Sequence, residues 1–460
     1  MTPKDAADTI AAISTPLGEA GIGIVRVSGP EAEAIARALF RPRNLRGDFL
    51  SHHLYLGHIV DPASQEIIDE VLLTLMRSPR TYTREDVVEV QCHSGLGVLR
   101  RILELTLAQG ARPARPGEFT LRAFISGRLD LTQAEAVLEV IQARTEAGLR
   151  VAAEHLQGRL GRSLQEIRET FLDLLARVEA ALDFPEETAE LPVAAFTADL
   201  ALPLKALETL AATFQEGRLL REGLLVVIAG QPNVGKSSLL NCLLARDRAI
   251  VTEIPGTTRD LVEEMITLAG VPVRLSDTAG LRPAQDPVEE LGIKRTRERL
   301  AQADLVLYLV DGSLDLTPEA RGDLEELGGR PGLAVVNKVD LPQELEISAL
   351  EESTALPITK ISALTGEGIE ALKQQIVGLT LKRGLNTTGE IITQARHHQH
   401  LQRCLAYLRQ AGTLLEEGAP PWELVALELL EAIRELGKIT GQEVGEDVLE
   451  RIFAEFCLGK

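Results

Sequence analysis

The chain is poor in cysteine, lacks any long apolar run, and has too few cations to balance its acids. Its four cysteines, Cys92, Cys242, Cys404 and Cys457, form no C-x-x-C pair. That spacing excludes the common thiolate metal sites and makes a reducing compartment the simplest expectation. The longest apolar stretches, such as Leu224 to Ala229 and Leu305 to Val310, are strand-sized. A bilayer span needs roughly 20 apolar residues. Met1 to Ile10 has no basic segment followed by an apolar run, so no secretory signal is expected. A cytoplasmic protein without membrane contact is the expectation. Lys and Arg number 48 against 68 Asp and Glu, for a net charge of −20. This argues against sequence-blind nucleic-acid binding over a broad face, because phosphate contacts need clustered cations. Local basic patches stay open.

The remainder is that of an ordinary globular chain, 45% hydrophobic and 25% charged over 460 residues, long enough for about three domains. Residues 1–122 mix strands and helices. Ile22 to Val27 reads as a strand, Pro30 to Phe40 as a helix with Pro in its first turn, Asp86 to Val90 as a strand, and Leu96 to Ala108 as a helix. An α/β or α+β domain follows. Residues 123–222 have helical texture. Thr132 and Glu135 make a T-x-x-E capping box, and Phe171, Leu174, Leu175, Val178 and Leu182 form an apolar stripe; Pro185 suggests a break. Residues 223–383 alternate strand and helix, the sign of a parallel sheet with covering helices. Helical texture returns over 384–460, where Leu424, Leu427, Leu430, Ile433 and Leu436 mark a long amphipathic helix. The expected fold class is multi-domain: an N-terminal α/β (α+β) domain, then a discontinuous helical domain interrupted by an inserted α/β domain.

That inserted domain carries the chemistry. The apolar run from Gly223 to Gly230 leads into G-x-x-x-x-G-K-S, from Gly230 through Asn233, Val234, Gly235 and Lys236 to Ser237, with Ser238 next. Backbone amides of such a loop wrap phosphates, and the following helix adds its positive end. Lys236 reaches the β- and γ-phosphates and the Ser237 hydroxyl ligates Mg²⁺. Asp277, Thr278, Ala279 and Gly280 follow a strand; an Asp there organises Mg²⁺ through water, and the Gly280 amide senses the γ-phosphate. Asn337-Lys338-Val339-Asp340 follows another. Asp340 matches the two adjacent donors of guanine, which adenine does not present together. A buried carboxylate deprived of them costs about 1–3 kcal/mol. Ser362 and Ala363 offer a backbone amide to the guanine oxygen, and Thr258 is placed to complete the Mg²⁺ shell. The shared order of these segments points to an inserted Ras-like α/β P-loop GTPase domain that binds and hydrolyses GTP. Leu281 stands where many Ras-like GTPases place a water-orienting Gln. Glu289 is a candidate for that function, and equally a solvated helix carboxylate.

The inserted GTPase domain, the switch Gly256-Thr257-Thr258-Arg259-Asp260 and the tail Cys457-Leu458-Gly459-Lys460 resemble the MnmE (TrmE) family of tRNA-modification GTPases. So do the stretch from Gly21 through Arg26 to Gly29 and the segment from Arg115 to Phe119, and the likeness spans essentially the whole chain. The resemblance implies modification of the wobble uridine of certain tRNAs with a 5-aminomethyl or 5-carboxymethylaminomethyl group. It implies work with the flavoprotein MnmG (GidA), a heterotetramer with it, and a homodimer through the N-terminal domain. A tetrahydrofolate derivative, 5-formyl or methylene, would donate the one-carbon unit from a site lined by Arg26, Glu85, Arg128 and Lys460. Potassium, held by Asn233, Thr252, Ile254 and Thr257, would replace an arginine finger, and Glu289 matches the catalytic glutamate. Thr252 and Thr257 also belong to the expected GTP site. The tail implies that Cys457 reaches the folate and RNA site as a candidate catalytic residue; its plain reading is a packing residue, as for Cys92, Cys242 and Cys404. The sequence departs from the family at Leu458, where isoleucine is commoner, at Leu364, where lysine is usual, and at Arg128, where lysine occurs.

Two further clusters stand out. His397, His398 and His400 invite a metal reading, but only His397 and His400 share a helical face, and a solvated or RNA-facing helix start is the favoured reading. Arg112, Arg115, Arg122 and Arg128 form a basic run that suits folate carboxylates, tRNA phosphate or a solvated face. A GTPase switch that binds RNA and assists ribosome assembly is the alternative function. An ion transporter with a cytosolic GTPase domain is excluded by the lack of a span.

Overall fold

A computed structural model describes residues 8–44, 47–184, 191–247, 264–277, 299–380, 390–416 and 419–460. The chain forms two compact units, one of residues 1–141, 153–207 and 399–460, the other of residues 142–152 and 208–398.

The first unit begins with a seven-stranded sheet: β1 Ile10–Ile13, β2 Gly23–Ser28, β3 Phe40–Pro42, β4 His53–Val60, β5 Ile67–Met76, β6 Val87–Cys92 and β7 Arg112–Pro113. Their order is β3-β4-β5-β6-β2-β1-β7. Only the β1–β7 pair is parallel. The N-terminal part is therefore α+β. Alternation along β2 sends Val25 and Val27 to one face, where they meet Leu99 and Ile102 of the helix Leu96–Ala108 and Ile35 and Leu39 of the helix Ala32–Leu39. Arg26 therefore points to the opposite face, which carries Ile10, Ala12 and Phe119.

The helices of this unit correct two expectations. Thr132 does not cap. The helix Leu131–Gln142 starts earlier, and Asp130 accepts from the Gln133 amide at 2.9 Å while Gln133 Oε1 accepts from the Asp130 amide at 3.1 Å. The capping box is thus Asp130 with Gln133, where an ionised carboxylate meets the helix N-terminus. In the helix Trp422–Thr440, Leu424 and Leu427 are exposed, and Val425, Leu429, Ala432, Ile433 and Leu436 are buried. Steps of three residues fall about 60° short of a turn each, so the expected stripe winds off the face that packs on the helix Arg159–Asp183. In that partner the stripe of Phe171, Leu174, Leu175 and Val178 is buried as expected.

The second unit holds a six-stranded sheet: β8 Leu224–Gly230, β9 Glu264–Leu268, β10 Val271–Asp277, β11 Leu305–Asp311, β12 Gly332–Asn337 and β13 Ile358–Lys360. The order is β13-β12-β11-β8-β10-β9, with only β9 antiparallel. β8, β11 and β12 read as unbroken apolar runs because both faces are covered. The order turns at β8, with β11 on one side and β10 on the other. In open parallel sheets ligands bind beyond the carboxyl ends of strands at such a point. At the base of the sheet the Ile392 amide donates to Thr213 Oγ1 at 2.9 Å. A Cβ on Gly217 would lie 2.1 Å from the Ile392 carbonyl.

Candidate functional site

The carboxyl ends of β8, β10, β11, β12 and β13 bring the nucleotide motifs together. Gly230 ends β8 in register with Leu309, Asp277 ends β10 beside Ile228, and Asn337 ends β12 opposite Asp311. The loop after β8 needs left-handed backbone at Gly230 (φ 136°), Asn233 (φ 65°) and Gly235 (φ 98°). Lys236 opens the helix Lys236–Asp247, is buried, and donates from Nζ to the carbonyls of Gly230 at 2.9 Å and Gln231 at 2.8 Å. The lysine is thus folded across its own loop. Val234 is buried, whereas Asn233, Ser237 and Ser238 face out from the loop and the first turn of the helix.

Asn337 ties this loop to the Ser362–Ala363 turn after β13. Its Nδ2 donates to the Val234 carbonyl at 2.8 Å, and its Oδ1 accepts from the Ala363 amide at 2.9 Å. Lys338, at φ 66°, reaches Asp311 Oδ2 with Nζ at 2.5 Å. Burial pushes the Asp311 carboxyl up, but Lys338 and Ser313 outweigh it and hold the group below its ordinary range. Asp340 is exposed one turn later, and Ser362 is buried with its hydroxyl accepting from the Thr365 amide at 3.1 Å. Asn233, Val234, Gly235, Lys236, Ser237, Ser238, Asn337, Lys338, Asp340, Ser362 and Ala363 thus share one loop cluster. Thr252, Ile254, Thr257, Thr258, Thr278, Ala279, Gly280 and Glu289 lie outside the described residues, as does the side chain of Asp277.

The first unit holds a cavity of about 570 Å³ lined by Arg26, Tyr82, Arg128, Gln133, Val137 and Lys460, among others. Three of the four expected folate residues meet there. The fourth, Glu85, is not among the lining residues; its carboxylate accepts from Ser28 Oγ at 2.7 Å and from Arg122 Nη1 at 3.0 Å. Arg128 lies over the Tyr82 ring, 4.8 Å from its centre. Burial, and then the Arg26 cation, hold the Lys460 ammonium below the usual lysine range. Cys457 is exposed three residues before Lys460. The wall residues Tyr82, Gln133, Val137, Val140, Ile141, Leu129 and Leu156 were not expected from sequence. None carries a charge, and only the tertiary fold unites them.

The two puzzling clusters resolve into packing. Arg122 is buried and pairs with Asp8, Glu85 and Glu118, and Arg112 pairs with Asp8 and Glu118. Within the basic run Arg122 is therefore internal, and Arg112 is ion-paired and only partly exposed. His400 Nδ1 lies 2.7 Å from Glu435 Oε2, His398 stacks on Phe214 at 4.2 Å, and His397 is buried. No group of three or more metal-ligating side chains occurs among the described residues. Nor is any helix among them long and apolar enough to cross a membrane.

Comparison with known proteins gives the family. The family profile "GTP-binding protein TrmE N-terminus" matches residues 9–128, and "MnmE helical domain" matches residues 131–457. The chain is 47% identical to "tRNA modification GTPase MnmE" of Heliobacterium modesticaldum, over 98% of this chain and 99% of that one. It is 48% identical to the protein of the same name from Chloroflexus aurantiacus, over 98% and 100%. Among solved structures, the G domain of the T. maritima FeoB iron transporter is 30% identical over 34% of this chain and 98% of that one, with a TM-score of 0.27. Near half identity over the full length, on top of a phosphate loop joined by Asn337 to the Ser362–Ala363 turn, leaves one conclusion: the chain belongs to the MnmE (TrmE) family and is a GTPase that acts in tRNA modification.

Proposed function

We propose that this GTPase is activated by potassium and acts on the wobble uridine of certain tRNAs. With the flavoprotein MnmG it would install a 5-aminomethyl or 5-carboxymethylaminomethyl group, using a one-carbon unit from a tetrahydrofolate derivative. What supports the nucleotide part is the Asn337 bridge, which fixes the phosphate loop and the Ser362–Ala363 turn in one frame. In this reading Lys236 leaves its two carbonyls for the β- and γ-phosphates. Ser237 and Thr258 ligate Mg²⁺, and Asp277 holds it through water. Asp340 and the Ala363 amide read guanine. Asn233, Thr252, Ile254 and Thr257 hold potassium, whose fixed charge stabilises negative charge developing between β- and γ-phosphates. Glu289 orients the attacking water, a task Leu281 has no polar group to perform.

The cavity fits a folate in size and chemistry. Its volume of about 570 Å³ lies in the usual small-molecule range. Val137, Val140, Ile141 and Leu156 suit a flat ring system, and Arg128 and Lys460 suit carboxylates. A bound folate would supply the one-carbon unit; this chain's residues orient it and exclude water. Residues 1–122 would also form a homodimer. The decisive experiment is GTP turnover in potassium against sodium buffer. Stimulation by potassium, its loss in Asn233→Ala, and inactivity of Glu289→Ala are expected. Equal rates in both salts would overturn the potassium reading.

A further inference from the structure

Arg26 lines the cavity, yet most of its hydrogen-bonding capacity is already committed inside the protein. Its Nε donates to Glu89 Oε1 at 2.8 Å, and Nη2 lies 2.8 Å from the same oxygen. Its Nη1 donates to the Gly459 carbonyl at 3.0 Å. The guanidinium also stands 5.6 Å from the centre of the Phe119 ring. Arg26 and Glu89 are directly opposed in the β2–β6 ladder, so the pair is built into the sheet register. A forked donor held by a carboxylate on one side is pre-oriented for whatever lies on the other. Here that is the main chain of the C-terminal tail.

The tail is shaped to accept this grip. Gly459 has φ 87°, which favours glycine. A Cβ there would stand 2.6 Å from both the Ile13 carbonyl and the Ser14 Cα. The Gly459 carbonyl accepts a second hydrogen bond, from Ser14 Oγ at 3.2 Å. The Lys460 amide donates to the Cys457 carbonyl at 3.3 Å. The seat at Gly459 thus sets where Lys460 stands as a wall of the cavity.

We propose that Glu89 is a positioning residue which, acting through Arg26, seats Gly459 and thereby holds Lys460 in the wall of the cavity. Arg26 then serves the site chiefly as a strut for the tail, and Arg128 and Lys460 are the cations that meet a ligand's carboxylates. The ligand part of this inference rests on the folate reading above; the seating part does not.

The test uses the full chain with Cys242→Ser and a nitroxide on the exposed Cys457, read by electron paramagnetic resonance. Binding of 5-formyl-tetrahydrofolate is read by calorimetry, and circular dichroism with thermal unfolding checks that the first unit of each variant is folded. Glu89→Gln is expected to mobilise the label and weaken folate binding about tenfold. Glu89→Asp, which keeps the carboxylate, should recover part of both. Gly459→Ala should mobilise the label with Glu89 and Arg26 intact. An unchanged label spectrum in Glu89→Gln overturns the proposal. So does weakened folate binding without label mobilisation, since Glu89 would then act on the ligand directly. If the parent chain binds no folate, the folate reading and the ligand part fall, and the label still decides the seating.

Discussion

Asn337 fills the space that a side chain on Gly235 would need: a Cβ on Gly235 would lie 2.2 Å from Asn337 Nδ2. The close approach lets Nδ2 reach the Val234 carbonyl. Gly235→Ala would have to displace Asn337 and strain the backbone at φ 98°. The expected outcome is at least a tenfold loss of GDP affinity, measured by titration with a fluorescent GDP. Near-wild-type affinity would refute the close fit.

Asn337→Ala leaves the Val234 carbonyl and the Ala363 amide without this partner. The abandoned Val234 carbonyl is buried and costs about 1–3 kcal/mol; the partly buried Ala363 amide costs less. Lower thermal stability of the second unit and weaker binding of both GDP and GTP should appear together. A variant that lost nucleotide affinity at full stability would show that Asn337 acts on the ligand rather than on the frame.

Asp340 is proposed to accept two hydrogen bonds from guanine. Xanthine replaces one of those donors by a carbonyl. Asp340→Asn should therefore weaken GTP binding and favour xanthosine triphosphate, shifting the preference about 100-fold on the scale of one or two charge-assisted hydrogen bonds. Competition binding with both nucleotides measures it, and an unchanged preference would remove Asp340 from base reading.

The Asp8, Arg112, Glu118 and Arg122 cluster makes the first unit sensitive to acid. Burial pushes the Glu118 carboxyl up, but Arg112, the Arg115 amide and Arg122 outweigh it and hold it below the ordinary range. Asp8 is held low by Arg112 and Arg122 against the opposing effect of burial. A carboxylate with a depressed folded pKa contributes fully above its unfolded value, about 4. The contribution is lost as pH falls through the folded value. Unfolding stability should be flat at neutral pH and fall with acid. In Glu118→Gln stability should drop by about 3–5 kcal/mol, the cost of breaking a buried pair, with a shallower acid slope. A slope equal to the parent's would place the acid sensitivity elsewhere.

The four thiols should react in a set order. Cys457 is exposed and Cys242 half-buried. Burial pushes Cys92 up to about 11 and raises Cys404 as well. Alkylation at neutral pH followed by peptide mapping should modify Cys457 first and leave Cys92 and Cys404 untouched in the folded chain. Early labelling of either buried thiol would contradict the packing described.

Local signals were legible in the sequence and long-range ones were not. The helix Leu96–Ala108 has the bounds its spacing predicts, and the phosphate loop stands between strand and helix as expected. β4 and β5 were not anticipated, because their pairing partners fix them more than their own pattern does. Asp130 displaced Thr132 as cap because an ionised acceptor outcompetes a hydroxyl at a helix start. Leu424 suits an apolar stripe by type but falls on the wrong side of its helix. Arg26, Arg128 and Lys460 were named as site residues from family likeness; that they share one cavity, while Glu85 turns to Arg122, depends on contacts between residues far apart in the chain. The committed state of Arg26 could not be read from its type at all.

The clasp between Thr213, Gly217 and Ile392 has a consequence for how such a chain could arise. An inserted segment whose ends already touch imposes little loop-closure entropy on its host, whatever its length. Val151, Leu220 and Ile391 bury one another, so the compact unit also draws on the separate stretch of residues 142–152. Trimming it to residues 223–383 would remove that clasp and leave the two ends of the segment unjoined.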